Sequence, residues 1–183
     1  MKNRKITLVI LIVLTLLNFG CGTNKSILEK DFDSENISLT GNIIEVTVND
    51  KRTDVTDKKI ELPFLSSPKS YDKVSPFITP KQEEKIKNEI KSYFNNNGQD
   101  LKVKINILQG YKEFSATFFH EREYAEFSIH LQIIDLNNHI LEECKSSGFI
   151  ETKTLDATYE RMELVYNKAL EMAIFKCLEE ISK

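Results

Sequence analysis

Four groups of residues have the types and spacing to do chemistry. Asp50, Arg52, Asp54 and Asp57 cluster within eight positions. An arginine flanked by carboxylates makes bidentate ion pairs that pin a loop, and this reading is preferred. A calcium loop is disfavoured, because Arg52 occupies an alternate position and no glycine or bidentate glutamate follows in register. His120, Glu121, Glu123, His130 and His139 offer metal-ligand atoms, but no HExxH or comparable spacing joins them, so a solvated surface is expected and no metal or cofactor is assigned. No GxSxG elbow marks a nucleophile. Cys144 and Cys177 could form a disulfide in an oxidising compartment, although two separate buried thiols are favoured over a bond. The fourth group is Cys21, which directly follows an apolar run and a glycine.

That run occupies residues 6–17, behind the cationic start Met1-Lys2-Asn3-Arg4-Lys5, which is the pattern of a cleaved signal peptide. Twelve residues span about 18 Å as a helix, short of the ~30 Å hydrocarbon core. The segment Leu17-Asn18-Phe19-Gly20-Cys21 resembles the lipobox of bacterial lipoproteins, with a small residue, Gly20, before the cysteine; Asn18 and Phe19 depart from the commonest form. The resemblance implies cleavage between Gly20 and Cys21, a diacylglyceryl thioether on Cys21, and a further acyl chain such as palmitate on the new amine. Two or three acyl chains hold a protein at a membrane where one does not. Gly22 is not the aspartate associated with inner-membrane retention, so outer-membrane placement facing the periplasm is expected.

Of the 25 basic and 28 acidic residues, Lys2, Arg4 and Lys5 leave with the signal, so a formal charge of −3 becomes 22 − 28 = −6. A nucleic-acid binder would carry a basic stripe, and none is present. The expected organisation is a signal over residues 1–20, a lipidated N-terminus and flexible tether over 21–36, and one domain over 37–183.

The elements that must position these groups follow from periodicity. Ile44, Val46 and Val48 alternate with Glu45 and Thr47 in a strand over residues 42–49. Residues 50–79 read as a long irregular connection carrying Leu62, Phe64, Leu65, Tyr71, Phe77 and Ile78. Loops of this length are commonly functional. Its apolar side chains are expected to tuck back onto the sheet, with an exposed patch for a partner as the alternative. Thr79, Pro80 and Gln82 spell an N-cap, first-turn proline and capping box for a helix that ends before Asn95-Asn96-Asn97-Gly98. Strands are expected over residues 101–107, 111–119, 124–134 and 140–152, and a helix over 156–181. The fold class is therefore α+β: an antiparallel sheet of four to five strands with two helices on one face, in the order β-α-β-β-β-α.

The strand ending Val46-Thr47-Val48-Asn49-Asp50-Lys51-Arg52, the capped helix after it, and the hairpin Ile134-Asp135-Leu136-Asn137-Asn138-His139-Ile140-Leu141 resemble small α/β envelope lipoproteins. Auxiliary lipoproteins of ABC-type transporters are among these. The resemblance implies a non-enzymatic binding or scaffold subunit with a protein partner in the cell envelope. A surface enzyme or small-ligand carrier, with its site near residues 50–57 or 120–123, is the alternative.

Overall fold

Alternating apolar and polar residues build a sheet with one face toward the helices and one toward solvent. The computed structural model describes residues 28, 32, 37–62, 70–117, 121–154 and 157–183. Gly20, Cys21, Phe64, Leu65 and His120 lie outside the described residues, as does most of the expected tether. Met1–Lys30 and Asp31–Lys183 are separate units, and the fold below is that of the second. Its elements are β1 (Asn42–Asp50), β2 (Ser70–Val74), α1 (Pro80–Ser92), β3 (Asp100–Ala116), β4 (Glu121–Ile134), β5 (Ile140–Thr154) and α2 (Tyr159–Ile181). The α+β class, with two helices over a five-stranded sheet, is as expected.

The sheet runs β1-β3-β4-β5, with β2 also on β3. It is mixed: β3, β4 and β5 pair antiparallel, whereas β1 lies parallel to the first half of β3. The α1 crossover between β1 and β3 makes the parallel pairing feasible. Two expected strands, at 101–107 and 111–119, are one strand of 17 residues. A bulge between Ile107 and Gln109 flips the alternation, so Leu101, Val103, Ile105 and Ile107 share the core face with Phe114 and Ala116. Both apolar runs therefore point inward although their parity differs.

Helix α1 starts as its sequence requires. Thr79 Oγ1 accepts from the Gln82 amide at 3.2 Å, while Gln82 Oε1 accepts from the Thr79 amide at 3.0 Å. Helix α2 covers β4 and β5 with a stripe that includes Met162, Val165, Tyr166, Leu170 and Ile174. It is held very close. A Cβ built on Gly148 would sit 2.4 Å from Ala169 O and 2.5 Å from Ala173 N. Beside that contact Ser146 Oγ donates to Ala173 O at 2.5 Å, and Cys144 is bonded to Cys177 with Cα atoms 5.5 Å apart. The favoured expectation of two separate thiols is thus corrected: β5 and α2 approach closely enough to bring the two cysteines within bonding reach.

On the open face, Tyr111, Tyr124 and Phe149 stack across β3, β4 and β5 with centroids 6.0 and 6.2 Å apart. Lys73 covers Tyr111 at 3.5 Å and Lys176 covers Phe149 at 5.9 Å, so cations cap both ends. Phe32, which the sequence reading placed in the tether, stacks on Phe175 of α2 at 5.7 Å.

Candidate functional site: a groove beside Phe77

Strand β3 is long enough for two partners on one edge, and they lie along it with a gap between them. β1 finishes opposite Ile107, whereas β2 runs from opposite Ala116 to opposite Lys112. Between them the backbone of residues 108–111 has no strand neighbour on this edge among the described residues, and Arg52 fills the gap. Its Nη1 donates to Gly110 O at 2.6 Å and to Tyr166 Oη at 3.1 Å, and its Nη2 donates to Pro76 O at 2.9 Å. Asp50 receives Nε at 2.8 Å and Nη2 at 2.6 Å, the bidentate pair expected from the spacing. Gly110 is required here, since a Cβ would meet the Phe127 ring at 2.5 Å and Arg52 Nη1 at 3.0 Å.

The electrostatics follow from burial. Burial alone would raise the Asp50 pKa, but hydrogen bonds and charge from Arg52 outweigh it and hold the carboxyl below its usual value. Burial likewise works to lower the Arg52 pKa, and Asp50 and Tyr166 more than offset it, leaving the guanidinium more firmly protonated. Burial pushes the Tyr166 hydroxyl up to about 12. The cluster is a fixed ion pair that ties β1, β3, α2 and the segment carrying Pro76 to one point.

What this tie holds in place is a groove of about 640 Å³. One wall is residues 56–60, another is residues 76–79, and the floor includes Lys112 and the first turns of α2. The 56–60 wall is anchored. Thr56 N donates to Ser75 O at 2.8 Å, Lys58 pairs with Asp72 at 2.8 Å, and Ile60 is buried against Val74, Phe114, Ala116 and Met162. Phe77 and Tyr159, 49% and 55% exposed, rim the groove. An adjoining hollow of about 450 Å³ shares Pro76, Phe77, Thr79 and Glu163 with it. Lys112 is buried and ion-paired to Glu163, and its ammonium lies 5.4 Å from the Tyr166 ring.

The residues singled out in sequence are distributed as follows. Of the long connection, Leu62 packs inward on the Ile60 cluster and Ile78 is half-buried, in keeping with a loop that tucks back. Tyr71 belongs to β2 and stands on the open face, donating to Glu113 at 3.2 Å, so it is separated from Phe77 by the sheet. Asp57 reaches the groove, Asp54 accepts from Ser75 Oγ at 2.7 Å, and Asp50 is engaged by Arg52. Residues 121–123 do not converge. Glu121 accepts from the Ala157 amide at 2.6 Å, Arg122 pairs with Glu113 and Glu151 on the open face, and buried Glu123 accepts from Arg161 Nε at 2.6 Å on the core face. His130 meets Glu143 and His139 meets Asp135, in different places. Among the described residues, no three histidine, cysteine or acidic side chains gather in a way that would hold a metal ion.

No protein-family model and no curated protein matches the sequence. Several solved structures are similar in part, among them two described as lipoproteins. One is described as a putative lipoprotein from Caulobacter crescentus CB15, with TM-score 0.35 and 10% identity over 55% of this chain and 74% of that one. The other is a minor lipoprotein from Acinetobacter baumannii, with TM-score 0.33 and 10% identity over 75% of this chain and 87% of that one. Neither likeness transfers a function.

Phe77 and Asp57 stand out in the sequence, but the other sides of the groove do not. Lys112 lies on a strand and reads as one more polar alternation, and Tyr159 and Glu163 sit on the solvent side of a helix pattern. Only Lys112 carries a detectable signal: once the bulge is known, its parity places a charge on the core face of β3. Chemically, the groove offers apolar rings at its rim and lysines around them. That equipment suits binding.

Proposed function

We propose that this chain is a lipid-anchored protein of the bacterial cell envelope that binds a partner segment in the groove beside Phe77 and catalyses no reaction. The observation that carries the binding reading is the pair of large apolar rings, Phe77 and Tyr159, left half-exposed on the rim of one 640 Å³ groove whose walls are otherwise tightly anchored. Exposed rings cost free energy on a monomer's surface and recover it when a partner covers them. The anchor rests on residues 6–21, with Gly20 before Cys21. Among the described residues no helix is long and apolar enough to cross a membrane. Gly22 favours the outer membrane, facing the periplasm.

A photo-crosslinking amino acid at position 77 tests the binding reading in cells, with position 149 on the open face as control. A discrete adduct from 77 and not from 149 is expected. Equal labelling, or none, refutes it. Mass spectrometry of the mature N-terminus tests the anchor: triacylated or diacylated Cys21 is expected, and a free thiol there or an intact Met1 refutes it.

A further inference from the structure

We infer that the groove takes an acidic polypeptide segment with bulky apolar side chains, and that Lys59 and Lys81 read its charge. This deepens the binding reading above and rests on it. Among the described residues, the groove and its adjoining hollow are lined by Lys58, Lys59, Lys81, Lys85 and Lys112 against Asp57 and Glu163, on a chain whose formal charge is −3 and falls to −6 without its first twenty residues. The local excess is opposite in sign to the whole.

Three of these lysines are already matched. Lys112 pairs with Glu163, Lys58 with Asp72 and Lys85 with Glu171. The acids behind Lys58 and Lys85 are withdrawn, with side chains 13% and 10% exposed, while the two lysines stay about half-exposed. Lys59 and Lys81 are exposed and make no ion pair among the described residues; with exposed Asp57 in the same wall they leave a local charge of 2 − 1 = +1 available to a ligand. The first turn of α1 opens at the same rim, adding its positive dipole end. Between the lysines lie Phe77 and Tyr159, which bind apolar side chains rather than small hydrated anions. A ligand matching both features alternates carboxylates with large apolar groups. A bilayer surface fits less well, because a flat leaflet does not enter a groove of about 640 Å³ as a single polypeptide segment does.

The test uses the full chain in detergent and a short fluorescein-labelled peptide of glutamates interspersed with phenylalanine and leucine, followed by anisotropy. Saturable binding that weakens with salt is expected. A counterpart with lysine for glutamate should bind at least about tenfold more weakly. The double variant Lys59→Glu/Lys81→Glu should lose about tenfold for the acidic peptide at an unchanged melting temperature, and Phe77→Ala should lose a similar factor without altering the salt slope. Equal binding of both peptides, or an unchanged affinity in the double variant, overturns the acidic assignment. So does capture of phosphatidylglycerol vesicles by a chain that ignores the peptide. If neither peptide binds while crosslinks persist at position 77, the ligand chemistry is wrong and the groove still binds. If the crosslinks are also absent, both readings fall.

Discussion

Replacing Arg52 by methionine keeps most of the side-chain volume and removes the charge that holds the groove. The guanidinium makes two hydrogen bonds to Asp50 and one each to Gly110 O, Tyr166 Oη and Pro76 O. Hydrogen bonds to charged groups contribute about 1.5–3 kcal/mol each, but five such figures cannot be summed, because they share one donor group whose desolvation opposes them. The Asp50 side chain is 25% exposed and can rehydrate, whereas Gly110 O loses its donor beneath Phe127 and Tyr166. Breaking one side of a buried pair costs about 3–5 kcal/mol. For a domain of this size that is a fall in Tm of roughly 6–20 °C.

The assay is thermal unfolding followed by circular dichroism, combined with hydrogen exchange. Exchange should accelerate across residues 75–79 and at the Thr56 amide, which bonds Ser75 O, and should remain unchanged in β4. Acid sensitivity supplies a second readout. The folded Asp50 pKa is lowered, so its contribution is present above the unfolded value of about 4 and is lost as pH falls through the folded one. Arg52→Met should therefore flatten the stability curve below pH 4. A Tm within 3 °C of wild type, or a fall with no local exchange at 75–79, would refute the role assigned to Arg52.

Gly148→Ala should cost about 3 kcal/mol, since its Cβ would fall 2.4–2.5 Å from helix backbone atoms that cannot rotate away; denaturant unfolding measures the loss, and Ser147→Ala is the neutral control. Reduction of Cys144–Cys177, or Cys144→Ser/Cys177→Ser, should lower stability by about 3–4 kcal/mol, from closure of a loop with sequence separation 33, read by urea titration with and without reductant. Burial, aided by Glu171, raises the half-buried Glu89 carboxyl from 4.5 to about 7. The unfolded chain gives up this proton first, so the folded state loses about 2–3 kcal/mol as pH rises from 4.5 to 7. Glu89→Gln should remove that slope and raise stability at pH 8, and an unchanged slope between pH 5 and 8 would contradict the assignment.

What the sequence determined by itself is everything that depends on neighbours a few positions apart. The capping box at Thr79 and Gln82 is satisfied within one turn, so its residues specify it alone. The alternation in β4 and the 3.6-residue stripe of α2 record which side is wet, because each side chain must choose one face. In β1 the expected alternation of Ile44, Val46 and Val48 fails at its start, because a bulge at Ile44 leaves that side chain exposed and buries Ile43 instead. Asp50 and Arg52 are two apart, and their pairing is local for the same reason. Tertiary structure decided the rest. A bulge at Leu108 joins two apolar runs into one strand, since an extra residue changes parity without changing composition. Gly110, Tyr166 and Pro76 become partners of Arg52 only because β3, α2 and the loop meet there, and Cys144 reaches Cys177 only because Gly148 lets α2 approach. The groove is the clearest case. Lys59, Phe77, Lys112 and Tyr159 come from four segments, and no spacing along the chain encodes the distance between them in space.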